Sequence, residues 1–224
     1  MSDIKLLSDF SSEIENCRST SDRVSDVLRH AIISRTLAQG ERLVEAKVAK
    51  ELNVSITPVR HAFVDLESEG LLDIYPFKGT YVTTISSKLA NDVIYVRICL
   101  ETAAAKLAFP HLTQKDTEQL RNYCKSSDKY FFEEKNLYES IRCDMLFHSV
   151  FFEKGDNDPL LKMWSMLKSR IELIISHAKP DTLTYGHAMN RHEAIIRAIE
   201  IGNAQEFIDS LAHHLRTSVT FANF

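Results

Sequence analysis

From Ser86 onward almost no stretch of the chain alternates apolar with polar residues. Instead six successive segments, near 86–109, 113–133, 135–153, 157–180, 183–201 and 203–221, repeat apolar residues every three or four positions. That period belongs to helices, which bury such stripes only by packing on one another. The breaks are explicit: Pro110, a polar run at 133–136, KGDNDP at 154–159, Pro180, and Gly202 with Asn203. With six glycines and five prolines in 224 residues, the composition is poor in turns and suits an all-helical bundle.

The N-terminal third reads differently. After a polar leader, Thr20 or Ser21 can cap a helix that buries Val24, Val27, Leu28, Ala31 and Ile32. LAQGERL turns at Gly40, and a short helix from about Glu45 to Leu52 turns Val48, Ala49 and Leu52 inward before Asn53 ends it. Ser55 stands at the cap of a third helix and Pro58 in its first turn, where a missing N–H costs nothing. Val59, Ala62, Phe63 and Leu66 form its inner stripe, which leaves Ile56, Thr57, Arg60 and His61 facing outward. Gly70 closes that helix, and LLDIY, PFKG and TYVTTI follow as strand, turn and strand, a two-strand wing with Gly79 at its tip. Three short helices and a hairpin are the plan of a winged helix-turn-helix, whose third helix enters the major groove of DNA.

The predicted fold class is therefore mainly α. A leader spans 1–19, a winged-helix DNA-binding domain 20–85, and an all-helical domain 86–224. No apolar run reaches the roughly 18 residues that span a bilayer, and the first 20 residues lack the apolar centre of a signal peptide, so a cytoplasmic location is expected. Cysteines at 17, 99, 124 and 143 show no paired metal spacing and read as free thiols, mostly packing. Residues 20–85 carry eight Lys and Arg against nine Asp and Glu, so one domain should bind DNA weakly and need a second copy. Lys47, Lys50 and Lys78 are candidates for phosphate contacts, the alternative being a merely solvated face.

Val54, Ser55, Thr57, Pro58, Val59 and Arg60, then LESEGLL and the wing glycine, resemble the DNA-binding domain of the GntR family of bacterial repressors over residues 20–84. The resemblance implies that Thr57 and Arg60 contact the operator and that Gly79 lets the wing approach the minor groove. Ser55, Ile56, His61, Lys47 and Lys78 complete the candidate surface. The family commonly has Arg where this chain has Ile56, and often another where it has Ala46.

Within the bundle, polar residues stand on apolar stripes. Asp144 and His148 share a face with Ile141 and Phe151, His192 with Ala188, Ile195 and Ile199, and His214 with Phe207, Leu211 and Leu215. A lone inward histidine is usually a satisfied core residue, but three from three helices with a carboxylate can converge on one transition metal. The order Asp144, His148, His192, His214 also resembles the metal motif of the ligand-binding domain in the FadR subfamily of GntR regulators. VRICLETAAAKLA at 96–108, NDPLL at 157–161 and HEAIIRAIEIGNAQ at 192–205 extend the likeness over about 88–222. It implies a divalent ion, zinc or nickel, and a small organic acid bound at or near it. His177, His187 and His213 are expected to be exposed.

Arg97 lies on an inner stripe with Glu101 one turn on. A structural Arg97–Glu101 pair is one reading; the resemblance favours the other, an Arg97 that forks onto an effector carboxylate. The function expected is a homodimeric transcription regulator, a repressor controlled by a small acid, and not an enzyme. A metal-dependent hydrolase is the rival, against which stands the absence of a clear acid or base behind the ligands on these stripes. A DNA-binding domain on an inert bundle is the third reading.

Overall fold

The computed structural model describes residues 19–178 and 188–217 together with Leu7. The rest of the leader, Cys17, His187 and the predicted helix ends at 179–187 and 218–221 lie outside the described residues. The chain divides into two compact units, Met1–Ile85 and Ser86–Phe224.

In the first unit helix α1 spans Thr20–Ile33, and its cap is Ser19 rather than Thr20 or Ser21. Asp22 decides this. Ser19 Oγ accepts the Asp22 N–H at 3.2 Å while the Asp22 carboxylate accepts the Ser19 N–H at 3.1 Å, a reciprocal box that needs an acid three residues after the cap. Helix α2 (Glu45–Glu51) and helix α3 (Ile56–Ser68) follow, with Asn53 in the left-handed region between them. α3 packs against both α1 and α2, and its stripe Val59, Ala62, Phe63 and Leu66 is buried.

The sheet has one strand more than expected. β2 (Leu72–Tyr75) and β3 (Gly79–Val82) form the hairpin, and β1 (Arg42–Leu43) pairs antiparallel with the outer side of β3, giving the order β1-β3-β2. Two residues are too few to show an alternation, which is why β1 is silent in the sequence.

The second unit is helical throughout its described residues. α4 (Ser87–Ala108) leads through a 3-10 turn (Phe109–His111) to α5 (Gln114–Asp128), which runs on into a π-helical turn (Lys129–Glu133). α6 (Leu137–Gly155), α7 (Asp158–His177), α8 (Ala188–Glu200) and α9 (Ala204–Thr217) complete it. Asn136 and Asn157 cap α6 and α7 through their side-chain oxygens, each accepting an N–H at 3.0 Å. α4 packs against α6, α7 and α9, while α5 packs against α6 and α8. Arg121 ties α5 to α8 through Glu193 at 2.8 Å and Glu200 at 3.0 Å. The central position of α4 brings its buried polar residues under the stripes of α6 and α9.

Candidate metal centre and nucleic-acid interface

Asp144 and His148 project from successive turns of α6, His192 from the first turns of α8, and His214 from the last turn of α9. All four are buried, and the three histidines offer ring nitrogens that lie within 4.8 Å of one another. The His192 and His214 rings are 4.2 Å apart, and His148 stands 5.5 and 5.4 Å from them. Asp144 closes the group, with Oδ1 3.4 Å from His192 Nε2 and Oδ2 3.9 Å from His148 Nε2. Two donors each about 2.1 Å from one ion at a tetrahedral angle lie about 3.4 Å apart, so these separations suit ligands that share a metal.

Local chemistry also chooses which nitrogen each ring offers. His192 Nδ1 lies 2.7 Å from the Ala188 carbonyl, which can only accept, so Nδ1 carries the proton and Nε2 the lone pair. His148 Nδ1 lies 2.6 Å from Glu101 Oε2 on α4, an ion-pair contact rather than a well-aligned hydrogen bond. Burial opposes the charge on Glu101, yet Arg97 and His148 beside it hold its carboxyl down to about 2. An ionised Glu101 also only accepts, which again leaves Nε2 of His148 as the donor to a metal. Asp144 is held at about 2 against its burial by His192 and His148. Burial drives His192 down to about 3 and His214 well below an imidazole's ordinary value. His148 Nε2, His192 Nε2 and Asp144 Oδ1 are buried and find no hydrogen-bond partner among the described residues. Nitrogen and oxygen donors with those orphaned atoms fit a divalent first-row ion such as zinc or nickel.

Arg97 is fully buried, with Nε 2.6 Å from Glu101 Oε1 and both terminal nitrogens unpartnered. The structural pair and a spare fork therefore coexist in one side chain. The same geometry corrects one argument: a carboxylate does stand behind a candidate ligand, but it comes from α4 and not from the ligands' own stripes. His213 is exposed as expected, whereas His177 is half-buried because its ring meets the Leu173 carbonyl and the Ser176 hydroxyl. Of the described cysteines Cys124 and Cys143 are buried and Cys99 is exposed.

In the first unit Ser55, Ile56, Thr57, Arg60 and His61 are all exposed along the start of α3. Ser55 sits at the cap position, but its side chain makes no cap hydrogen bond. A groove of about 830 Å³ runs between the starts of α1 and α3, lined among others by Arg23, Ser55, Thr57 and His61. Arg60 Nη2 is bound by Glu45 Oε2 at 3.0 Å, with Nε 3.3 Å from the same carboxylate. Sequence reasoning missed this partner, which lies 15 positions away on another helix. It also missed Arg42: a Cβ on Gly79, whose φ is +118°, would lie 3.0 Å from Arg42 Nε, so glycine lets this guanidinium lie against the wing. Lys47 and Lys78 are exposed, as phosphate contacts need.

Two families match this chain. Residues 20–82 match "Bacterial regulatory proteins, gntR family", and residues 92–217 match the FCD domain. The chain is 26% identical over 194 residues to the HTH-type transcriptional repressor RspR of Escherichia coli (strain K12), covering 85% of this chain and 83% of that one. It is 28% identical over 193 residues to the probable D-xylose utilization operon transcriptional repressor of Paenarthrobacter nicotinovorans, covering 86% and 84%. Its fold is similar to that of E. coli McbR/YncC, with a TM-score of 0.71 and 21% identity over 89% of this chain and 95% of the other. These relatives are regulators rather than enzymes, which disposes of the hydrolase reading. A GntR-type winged helix in the first unit followed by an FCD domain in the second makes this chain a member of the GntR family of bacterial transcription regulators.

Proposed function

We propose that this regulator is a homodimeric repressor whose operator affinity is set by a small organic acid bound beside a divalent metal in the helical unit. The observation that carries the reading is the set of buried, unpartnered atoms in one place: Nε2 of His148 and His192, Oδ1 of Asp144, and both terminal nitrogens of Arg97. Buried polar groups without partners are costly, and a cation with its counter-anion satisfies all of them.

Asp144, His148, His192 and His214 would hold the ion, zinc or nickel, whose charge would attract a carboxylate oxygen of the acid as a further ligand beyond these four. Arg97, fixed through Nε by Glu101, presents its free fork to the same anion. Charge agrees with this. With neutral imidazoles as ligands, a divalent ion and Arg97 outweigh Asp144 and Glu101 by one positive charge, which a monocarboxylate group would neutralise. An acid that binds one arrangement of the bundle better than another shifts DNA affinity by that ratio, and a coupling of about 1–3 kcal/mol corresponds to a change of about 5- to 150-fold.

On the DNA side, Thr57 and Arg60 would read base edges, Ser55, Ile56 and His61 would line the approach of α3, and Lys47, Lys78 and Gly79 would meet the backbone and the minor groove. α4 and α7, which pack together, each carry exposed apolar side chains, Tyr95 and Val96 on one and Met163 and Met166 on the other, which a second copy would cover. The test is to recover and sequence the genomic fragments the purified protein retains, then to titrate small acids against the complex with the metal-loaded and the chelator-treated protein. Enrichment of a palindrome and acid-dependent release that needs metal support the reading. Release that is indifferent to metal removes the metal from the mechanism.

A further inference from the structure

The wing ends in a turn built against its own chemistry. Tyr75, Pro76, Phe77 and Lys78 form a tight turn closed by the Lys78 N–H donating to the Tyr75 carbonyl at 3.0 Å, between the paired residues Tyr75 and Gly79. Proline followed by a residue of positive φ is the pattern of a type II turn, in which that second position belongs to glycine or asparagine. Here it is held by Phe77, at φ 63°. A bulky side chain in the left-handed region is a steric outlier. The side chain then gains nothing from the other described residues, because it is 109% exposed, the most open of the large apolar residues described. Strain and an unburied aromatic ring on one residue call for a partner that the described residues do not supply.

The surroundings say what that is. Lys78 is exposed beside Phe77, and Arg42 lies against Gly79 at the root of the turn. No residue from Tyr75 to Gly79 is acidic; the nearest carboxylate on the hairpin is Asp73, paired across the sheet with Tyr81. The base of the turn is stiff, with the Tyr75 and Tyr81 rings edge to face at 5.9 Å and the Tyr81 hydroxyl donating to the Lys78 carbonyl at 3.2 Å. A rigid Pro-Phe tip flanked by cations has the make-up of side chains that wedge between base steps from the minor groove, where the cations follow the phosphates and the negative potential of the groove.

We infer that Phe77 is a wedge: the wing inserts its ring into the minor groove of the operator and partly unstacks one base step, a flexible pyrimidine–purine step, so that the DNA is bent in the complex. The inference rests on the proposed reading of α3 as the operator-contacting helix and adds shape to the readout of bases. Positions beneath the wing would be selected for deformability although no side chain bonds to them.

The experiment uses the full-length protein and the fragment it retains most strongly from sheared genomic DNA of its source. Bending is read by energy transfer between labelled ends, and unstacking by 2-aminopurine fluorescence at steps placed under the wing by footprinting. Phe77→Gly removes the wedge and relieves the backbone, so the melting temperature should stay level or rise. Its affinity for the fragment should fall about 10-fold or more, with loss of both the bend and the fluorescence gain, and Phe77→Leu should keep part of each. A wild-type complex with straight DNA overturns the wedge alone, as does a Phe77→Gly complex that bends like wild type. A variant that bends DNA normally but no longer self-associates overturns it too, and makes Phe77 a contact between copies. If the wild-type protein retains no sequence at all, the reading of α3 falls and the wedge falls with it.

Discussion

His148 Nδ1 and Glu101 Oε2 face each other at 2.6 Å from two different helices, both side chains fully buried. The contact joins the candidate metal centre to Arg97, because the other oxygen of Glu101 holds Arg97 Nε at the same distance.

Glu101→Gln should therefore act on the metal first. A glutamine amide can donate to Nδ1 as well as accept from it, so the ring is free to place its proton on Nε2 and lose its donor pair. Affinity for zinc or nickel, measured against a competing chelator, should fall about 10- to 100-fold. Unchanged affinity would mean that Glu101 does not orient His148.

Arg97→Lys keeps a positive charge but loses the fork. The effector acid should bind at least about 10-fold more weakly, a loss of about 1.4 kcal/mol or more by calorimetry, while metal affinity changes little. Arg97→Ala goes further, because it strands Glu101 in the core, and should cost about 3–5 kcal/mol of folding stability in urea unfolding.

Acid should weaken the metal-free protein in a defined window. Burial depresses His192 to about 3 and His214 well below its ordinary value, so the unfolded chain binds protons that the folded one refuses. Stability is then full above an unfolded imidazole pKa of about 6.5 and falls below it, by about 1.4 kcal/mol per pH unit for each histidine. Unfolding free energies of the chelator-treated protein at pH 7.5 and pH 5.5 test this, and His192→Gln should flatten the slope. Saturating zinc should raise stability at pH 7.5, by about 2.7 kcal/mol at a hundred times Kd.

Glu45 engages Nε and Nη2 of Arg60 along one edge, which leaves the outer edge, Nη1 with Nη2, clear of this carboxylate on a side chain that is 65% exposed. That edge matches the two acceptors of a guanine. Arg60→Ala should cost about 1–3 kcal/mol of operator affinity and relax the sequence at one position of each half-site, seen by repeating the selection. Glu45→Gln should leave stability within about 1 kcal/mol, since the pair is largely exposed, yet lower specific over non-specific binding.

Much of this was legible because it is local. The stripes of α1, α3, α4 and α6, the inward Asp144 and His148, and the outward start of α3 follow from a period of 3.6 residues, which any reader of the sequence can lay on a wheel. Caps were nearly legible; Ser19 was missed because the signal lay in Asp22 and not in the first Ser or Thr. β1 was missed because two residues carry no period. Glu101 was seen as a partner of Arg97, one turn away, but not of His148, 47 positions away on another helix.

The sequence by itself determined most of which side chains face inward, since helical period and residue polarity set the inner faces before any helix finds its neighbour, whereas half-buried positions such as His177, Leu52 and Ile199 depend on what packs nearby. Tertiary structure alone decided what those side chains meet. The packing of α4 on α6 and α9 sets Glu101 against His148, and the pairing of β1 with β3 sets Arg42 beneath the wing glycine. The reason is physical: burial is a property of one element's amphipathic face, whereas a distance between atoms of two elements depends on how their ridges and strands lock together, and no local period encodes that.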